Sequence, residues 1–197
     1  MVIYKLLNNE NLIKSVKNGD IGVIPTDTIY GISCDAFSRK SIERIYKVKG
    51  RQTEKPVIIL ISDISELTNF DVELDKQKKT ILEANWPGPV SFVLPITKKY
   101  YYLSAGLPGL AFRLPKKRDL VTFISKTGPL VSTSANISGE EAVTNIDGAL
   151  NVFEDDLDFY VDAGELVSEP STLVDLTGTE PKVLRQGKYQ LVLETTK

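Results

Sequence analysis

Residues 21–31 read Ile21-Gly22-Val23-Ile24-Pro25-Thr26-Asp27-Thr28-Ile29-Tyr30-Gly31. An apolar run of strand length stops at Pro25 and gives way at once to hydroxyls and a carboxylate. That is the pattern of a buried strand delivering a polar loop, and α/β sheets gather ligand groups at such strand ends. We expect a strand over 21–24 and a loop over 25–35. In extended backbone Thr26, Thr28 and Tyr30 point to one side. The competing reading is a hydroxyl-rich turn in which Gly31 supplies an unusual backbone angle.

Outward from this stretch, strand and helix patterns alternate. A short helix over 11–17 stops at Gly19. Ser38 caps a second helix whose apolar residues Ile42, Ile45 and Tyr46 fall at i, i+3 and i+4, and Gly50 ends it. A buried strand follows over 57–61. Ser62 or Asp63 caps a short helix through Leu67, and a longer helix over 74–85 is halted by Trp86-Pro87-Gly88-Pro89. Strands are expected over 90–94, 110–114 and 130–134, with a helix over 119–125 between the last two. A helix near 146–153 and strands near 159–161, 172–176 and 183–185 complete the chain. No repeat, flexible linker or long charge block divides it, so residues 1–197 read as one α/β domain: a twisted mixed β-sheet with flanking helices.

Composition narrows the chemistry. The 197 residues contain no His, which excludes Ser-His-Asp triads, Cys-His pairs and HExxH zinc sites. With 24 Lys+Arg against 26 Asp+Glu, the formal net charge of −2 offers no global field for capturing nucleic acid. The single Cys34 cannot form an internal disulfide. No basic-then-apolar leader opens the chain, and no run approaches the roughly 20 apolar residues of a membrane span. The expectation is a cytoplasmic protein with no membrane association.

Two further segments carry candidate chemistry. Lys47-Val48-Lys49-Gly50-Arg51, continued by Lys55-Pro56, sets cations at a helix end; Lys49 and Arg51 converge if the chain changes course at Gly50. Such a pair suits phosphate or carboxylate, although a solvated helix C-terminus would show the same charges. In Leu130-Val131-Ser132-Thr133-Ser134-Ala135-Asn136, period two places Ser132, Ser134 and Asn136 on one face, as in a phosphate or acyl-group cradle; an ST-rich strand end is the plainer reading. Arg113, Ser171 and Arg185 sit in or beside other strands and are weak signals singly. GxxxxGK[ST] and GxGxxG are both absent. Any Mg²⁺ is therefore expected on substrate phosphates rather than in a protein cage.

Taken in order, these segments resemble the YrdC-like family of threonylcarbamoyl-adenylate synthases, from about Ile21 to Gly187. The family's PTET-Y-G segment is matched by Pro25 to Gly31, its KxR pair by Lys49 and Arg51, and its SxN pair by Ser134 and Asn136. Trp86 to Pro89, Arg113 to Pro115, Ser171 to Asp175 and Arg185 to Gly187 resemble its WPGP, R-x-P, STVVD and R-x-G segments. Departures are small: Asp27 stands where Glu is usual, Gln52 where Pro is common, and Val57 where Leu is usual.

The resemblance implies a sheet around a large open cavity, in the single-domain form. It implies conversion of L-threonine, bicarbonate and ATP to L-threonylcarbamoyladenylate and pyrophosphate, the first step toward threonylcarbamoyladenosine in tRNA. It also implies separate downstream transferase proteins and no stable tRNA binding. Under it, Lys49, Arg51, Ser134 and Asn136 are the catalytic set, while Thr28, Arg113 and Ser171 hold threonine. Tyr30, Lys55, Ser132 and Arg185 flank the nucleotide, and Mg²⁺ arrives with ATP. Two alternatives stay open: an RNA-binding or ribosome-maturation module, which the charge balance disfavours, and a carbamoyl-transfer domain, whose usual companion domains are missing.

Overall fold

The computed structural model describes residues 1–50, 56–187 and 189–192. Ten strands form one mixed sheet: β1 (Val2–Tyr4), β2 (Gly22–Pro25), β3 (Tyr30–Asp35), β4 (Ile58–Leu60), β5 (Val90–Pro95), β6 (Gly109–Arg113), β7 (Leu130–Ser134), β8 (Phe159–Val161), β9 (Thr172–Asp175) and β10 (Lys182–Arg185). Their spatial order is β1-β8-β2-β3-β7-β4-β6-β5-β9-β10. Four adjacent pairs run parallel and five antiparallel.

The five α-helices are α1 (Glu10–Lys17), α2 (Arg39–Val48), α3 (Lys76–Asn85), α4 (Arg118–Thr127) and α5 (Ile146–Phe153). Polar caps set where several begin. Asn9 Oδ1 accepts from the Asn11 and Leu12 amides, and Asn145 Oδ1 accepts from Gly148. Asp75 accepts from the Lys78 amide, so α3 starts after Asp75 rather than at Leu74. Gly50 takes φ +59° just beyond α2, a left-handed turn that redirects the chain.

The pattern of alternation decides which face is covered. Odd and even residues of a strand leave opposite faces of the sheet. Val23, Ile32, Cys34, Ile59, Phe92, Phe112, Val131 and Val174 belong to one buried cluster with Ile42, Ile45 and Tyr46 of α2, Leu82 of α3 and Phe153 of α5. On the other face Ile24, Leu60 and Leu130 pack with Leu12 and Val16 of α1 and Leu120, Phe123 and Ile124 of α4. Continuing along that second face, the strand residues turn small or polar: Gly31, Ser132, Ser134, Ala111, Gly109 and Asp175. Apolar cover stops where the side chains stop being apolar, and a cavity opens there.

The sequence-based elements are recovered apart from their ends, with two corrections. Residues 25–35 are not one loop: only 26–29 turn, and Tyr30–Asp35 is β3, antiparallel to β2 and β7. Gly31 is not a site of unusual φ; a Cβ there would lie 2.7 Å from Ser132 Oγ, so glycine is required by the close approach of β7. Strand β1, at the sheet edge, is absent from the sequence-based reading.

Candidate functional site

A cavity of about 450 Å³ lies over the uncovered part of the sheet, within the size range of small-molecule sites. Strands β3, β4, β5, β6, β7 and β9 supply its floor; the 26–29 turn, Pro56, Leu107, Pro108, Pro170 and β10 supply its rim. Of the sequence-derived candidates, Thr28, Tyr30, Arg113, Ser132, Ser134, Ser171 and Arg185 all line it. Lys49 and Asn136 stand behind Ser134 rather than in the lining. Arg51 and Lys55 lie outside the described residues.

At one end, Arg113 projects from the last position of β6 and is 3% exposed. Its Nη1 donates to Thr28 Oγ1 at 3.3 Å, and its Nη2 lies 3.2 Å from Asp27 Oδ1, out of hydrogen-bond alignment. Its Nε has no partner. Burial pushes the Arg113 guanidinium below its ordinary value, Asp27 opposes that shift, and Arg185 adds to it. A buried guanidinium with an unused N–H costs free energy unless a ligand satisfies it.

Thr28 is placed by a tight turn. The Thr26 hydroxyl donates to the Ile29 carbonyl at 2.6 Å and accepts from the Thr28 amide at 3.1 Å, bringing the two Oγ1 atoms to 3.1 Å. Ser171 is fixed from two sides: its Oγ is 2.9 Å from Ser91 Oγ, and Arg185 donates to its carbonyl through Nε and Nη2 at 3.1 and 2.9 Å. Desolvation also lowers the Arg185 guanidinium. Two arginines and three hydroxyl residues therefore converge, a donor set matched to a carboxylate.

The other wall is built from residues far apart in sequence. The Lys49 ammonium, 2% exposed at the end of α2, donates to the carbonyls of Ser134 and Asn136 and to Asn136 Oδ1 at 2.9 Å. Ser134 Oγ donates to the same Oδ1 at 2.6 Å, and Asn136 Nδ2 donates to the Glu140 carbonyl at 2.6 Å. The Ser138 amide returns to the Lys49 carbonyl at 3.0 Å. In this arrangement the hydrogen bonds of Lys49 and Asn136 hold the segment that carries Ser134 at the cavity. Ser132 lies two residues earlier on the same face.

Tyr30 has a comparable role. Tyr30 is among the residues bordering the cavity, but its side chain is fully buried in the core cluster with Val23 and Ile32, and its hydroxyl donates to the Gly164 carbonyl at 2.8 Å and accepts from the Ala163 amide at 2.9 Å, pinning the segment that leads to Ser171. Tyr30→Phe leaves that amide and carbonyl unpaired, so it is expected to cost about 1–3 kcal/mol, a fall of roughly 2–10 °C in Tm. Differential scanning calorimetry checks this; an unchanged Tm would mean that water replaces the hydroxyl.

Sequence reasoning missed Asp27 as a site residue, together with Thr26 and Asp175. Asp27 was visible in the quoted motif, but nothing in the sequence pairs it with a residue 86 positions on. Asp175 is the one carboxylate lining the cavity among the described residues, and its Oδ1 accepts from the amide and hydroxyl of Thr177. No group of three or more His, Cys, Asp or Glu among the described residues could hold a metal ion.

A mixed α/β sheet that leaves part of one face open and lines the gap with guanidinium and hydroxyl groups has the donor set that anionic small molecules need. The chain belongs to the Sua5/YciO/YrdC family, whose model, described as "Telomere recombination", matches residues 14–187. The threonylcarbamoyl-AMP synthase of Pyrococcus abyssi is 30% identical over 179 residues, covering 89% of this chain and 53% of that protein. The chain thus spans about half the length of that relative. The structure of P. abyssi Sua5 complexed with L-threonine superposes with a TM-score of 0.87 at 27% identity, over 95% of this chain and 58% of that one. Escherichia coli YciO shares the fold over 96% of this chain and 98% of its own, with a TM-score of 0.86 at 24% identity.

Proposed function

We propose that the protein is a threonylcarbamoyl-AMP synthase, converting L-threonine, bicarbonate and ATP to L-threonylcarbamoyladenylate, pyrophosphate and water. The observation that carries this reading is the Arg113 end of the cavity. A buried guanidinium with a free Nε stands beside Thr28, Ser171 and Arg185, in a chain whose fold is shared with a protein described in complex with L-threonine.

In this reading Arg113 pairs the threonine carboxylate, and Thr28 and Ser171 fix the rest of the amino acid. The threonine amine and bicarbonate condense to a carbamate with loss of water. A carbamate oxygen then attacks the α-phosphorus of ATP and pyrophosphate leaves. Holding two anionic reactants in one cavity requires cations and preorganised donors rather than a histidine base. Ser132 and Ser134 offer hydroxyls to the phosphates and the carbamate, with Lys49 and Asn136 holding the segment. Arg185 extends from the carboxylate end toward the nucleotide, and the family resemblance assigns Arg51, Lys55 and Tyr30 to the same substrates. Mg²⁺ arrives as MgATP and is part of the substrate.

The product is a mixed anhydride that hydrolyses readily, so a separate transferase must take it to tRNA. The proposal places the protein in the cytoplasm, where those substrates and tRNA meet. Among the described residues no helix is long and apolar enough to cross a membrane.

With MgATP, purified protein is expected to release pyrophosphate only when both L-threonine and bicarbonate are present, read by a coupled pyrophosphatase assay. ATP turnover indifferent to threonine would overturn the assignment.

A further inference from the structure

Asp27 and Arg113 form an ion pair with both side chains almost fully buried, 7% and 4% exposed, and its geometry is incomplete. Asp27 Oδ1 faces Arg113 Nη2 at 3.2 Å without an aligned N–H, while Oδ2 accepts from the Lys116 amide at 3.2 Å. The carboxylate is therefore anchored to the backbone after β6 and balances Arg113 without occupying its Nε. Arg185, which reaches Ser171 beside the same end of the cavity, is the second cation. The count across these three groups is two positive charges and one negative, a net of +1 around a donor set shaped for a planar anion; Asp175, four residues beyond Ser171 along β9, is the other charged side chain lining the cavity among the described residues and stands outside this group.

We propose that Asp27 is a positioning and specificity residue: it orients Arg113 and holds this end of the cavity at a single net positive charge, so that a monocarboxylate binds and a phosphate dianion is refused. This rests on the reading of the Arg113 end as the threonine subsite. Refusal matters because the same cavity must admit a triphosphate elsewhere, and a subsite with net +2 would compete for those phosphates. Glutamate at position 27 keeps both the charge and the reach to Arg113, whereas asparagine keeps the shape and removes the charge.

The test uses the full chain without ATP. Titration calorimetry measures L-threonine binding, with inorganic phosphate at pH 8 as competitor. Phosphate is expected to displace threonine from Asp27→Asn at a concentration at least tenfold lower than from wild type, and Asp27→Glu is expected to behave as wild type. A folded Asp27→Asn protein with wild-type phosphate competition would overturn the proposal. Should Asp27→Asn fail to fold, Arg185→Gln takes its place: a net charge of zero is expected to weaken threonine binding at least tenfold, and unchanged binding would overturn the charge count. Failure of wild type to bind threonine would instead overturn the threonine reading, which separates the two failures.

Discussion

Arg113→Gln is expected to raise the L-threonine concentration needed for half-maximal pyrophosphate release by about a hundredfold, the consequence of losing two charge-assisted hydrogen bonds worth roughly 1.5–3 kcal/mol each. Glutamine keeps one donor and most of the length, whereas alanine would open a void beside β4. The neighbourhood argues for a specific loss rather than a general one. Arg113 Nη1 already uses Thr28, Asp27 lies against Nη2 and Nε has no partner, so under the proposed reading the carboxylate takes N–H groups that the protein leaves unused. Removing the guanidinium also strands Asp27, 7% exposed, and breaking a buried pair costs about 3–5 kcal/mol. The measurement therefore pairs a threonine titration at saturating MgATP with a melting curve. The expected signature is a large rise in KM for threonine, little change in KM for ATP, and a lowered Tm with the fold retained. Equal rises in both KM values would place Arg113 at the junction of the substrates instead of at the carboxylate.

Much of this site was legible in the sequence because its parts lie at strand ends, where local pattern is strongest. Ser132 and Ser134 share a face by simple alternation, and the alternation holds in β7. Strand β3 was not legible as a strand. Its one residue on the cavity face of the sheet that lines the cavity is Gly31, followed on that face by the buried Ser33, and a strand with no large side chain on that face looks like a polar loop. Strand β1 was lost for another reason: three residues at a sheet edge, with Val2 and Ile3 about half exposed, give too short a pattern. The long-range partnerships were invisible. Asp27 with Arg113 and Lys49 with Asn136 each join segments more than 80 residues apart, and only the sheet order, with β3 between β2 and β7, brings them together.

Lys49→Ala is expected to lower both stability and activity, and this coupling departs from what the KxR spacing alone suggests. The spacing suggests a cation reaching into the site, removable without harm to the fold. Instead the ammonium is buried and donates to the carbonyls of Ser134 and Asn136 and to Asn136 Oδ1. Alanine leaves those oxygens facing a cavity, and hydrogen bonds to a charged group contribute roughly 1.5–3 kcal/mol each, so a loss of about 3 kcal/mol or more is expected. Because Ser134 Oγ donates to the same Oδ1, the hydroxyl loses its orientation together with the segment. The expected result is a fall of about a hundredfold or more in adenylate formation, carried by kcat more than by KM for threonine, since Arg113 lies on β6 and Ser171 just before β9. Lys49→Arg separates support from contact: it keeps a charged donor for the carbonyls and so should recover most of the melting temperature. If Lys49 acts through Ser134, kcat recovers in proportion. A variant that regains full stability with no recovery of kcat would show that the ammonium itself meets the reacting groups, and the supporting role assigned to it would fall.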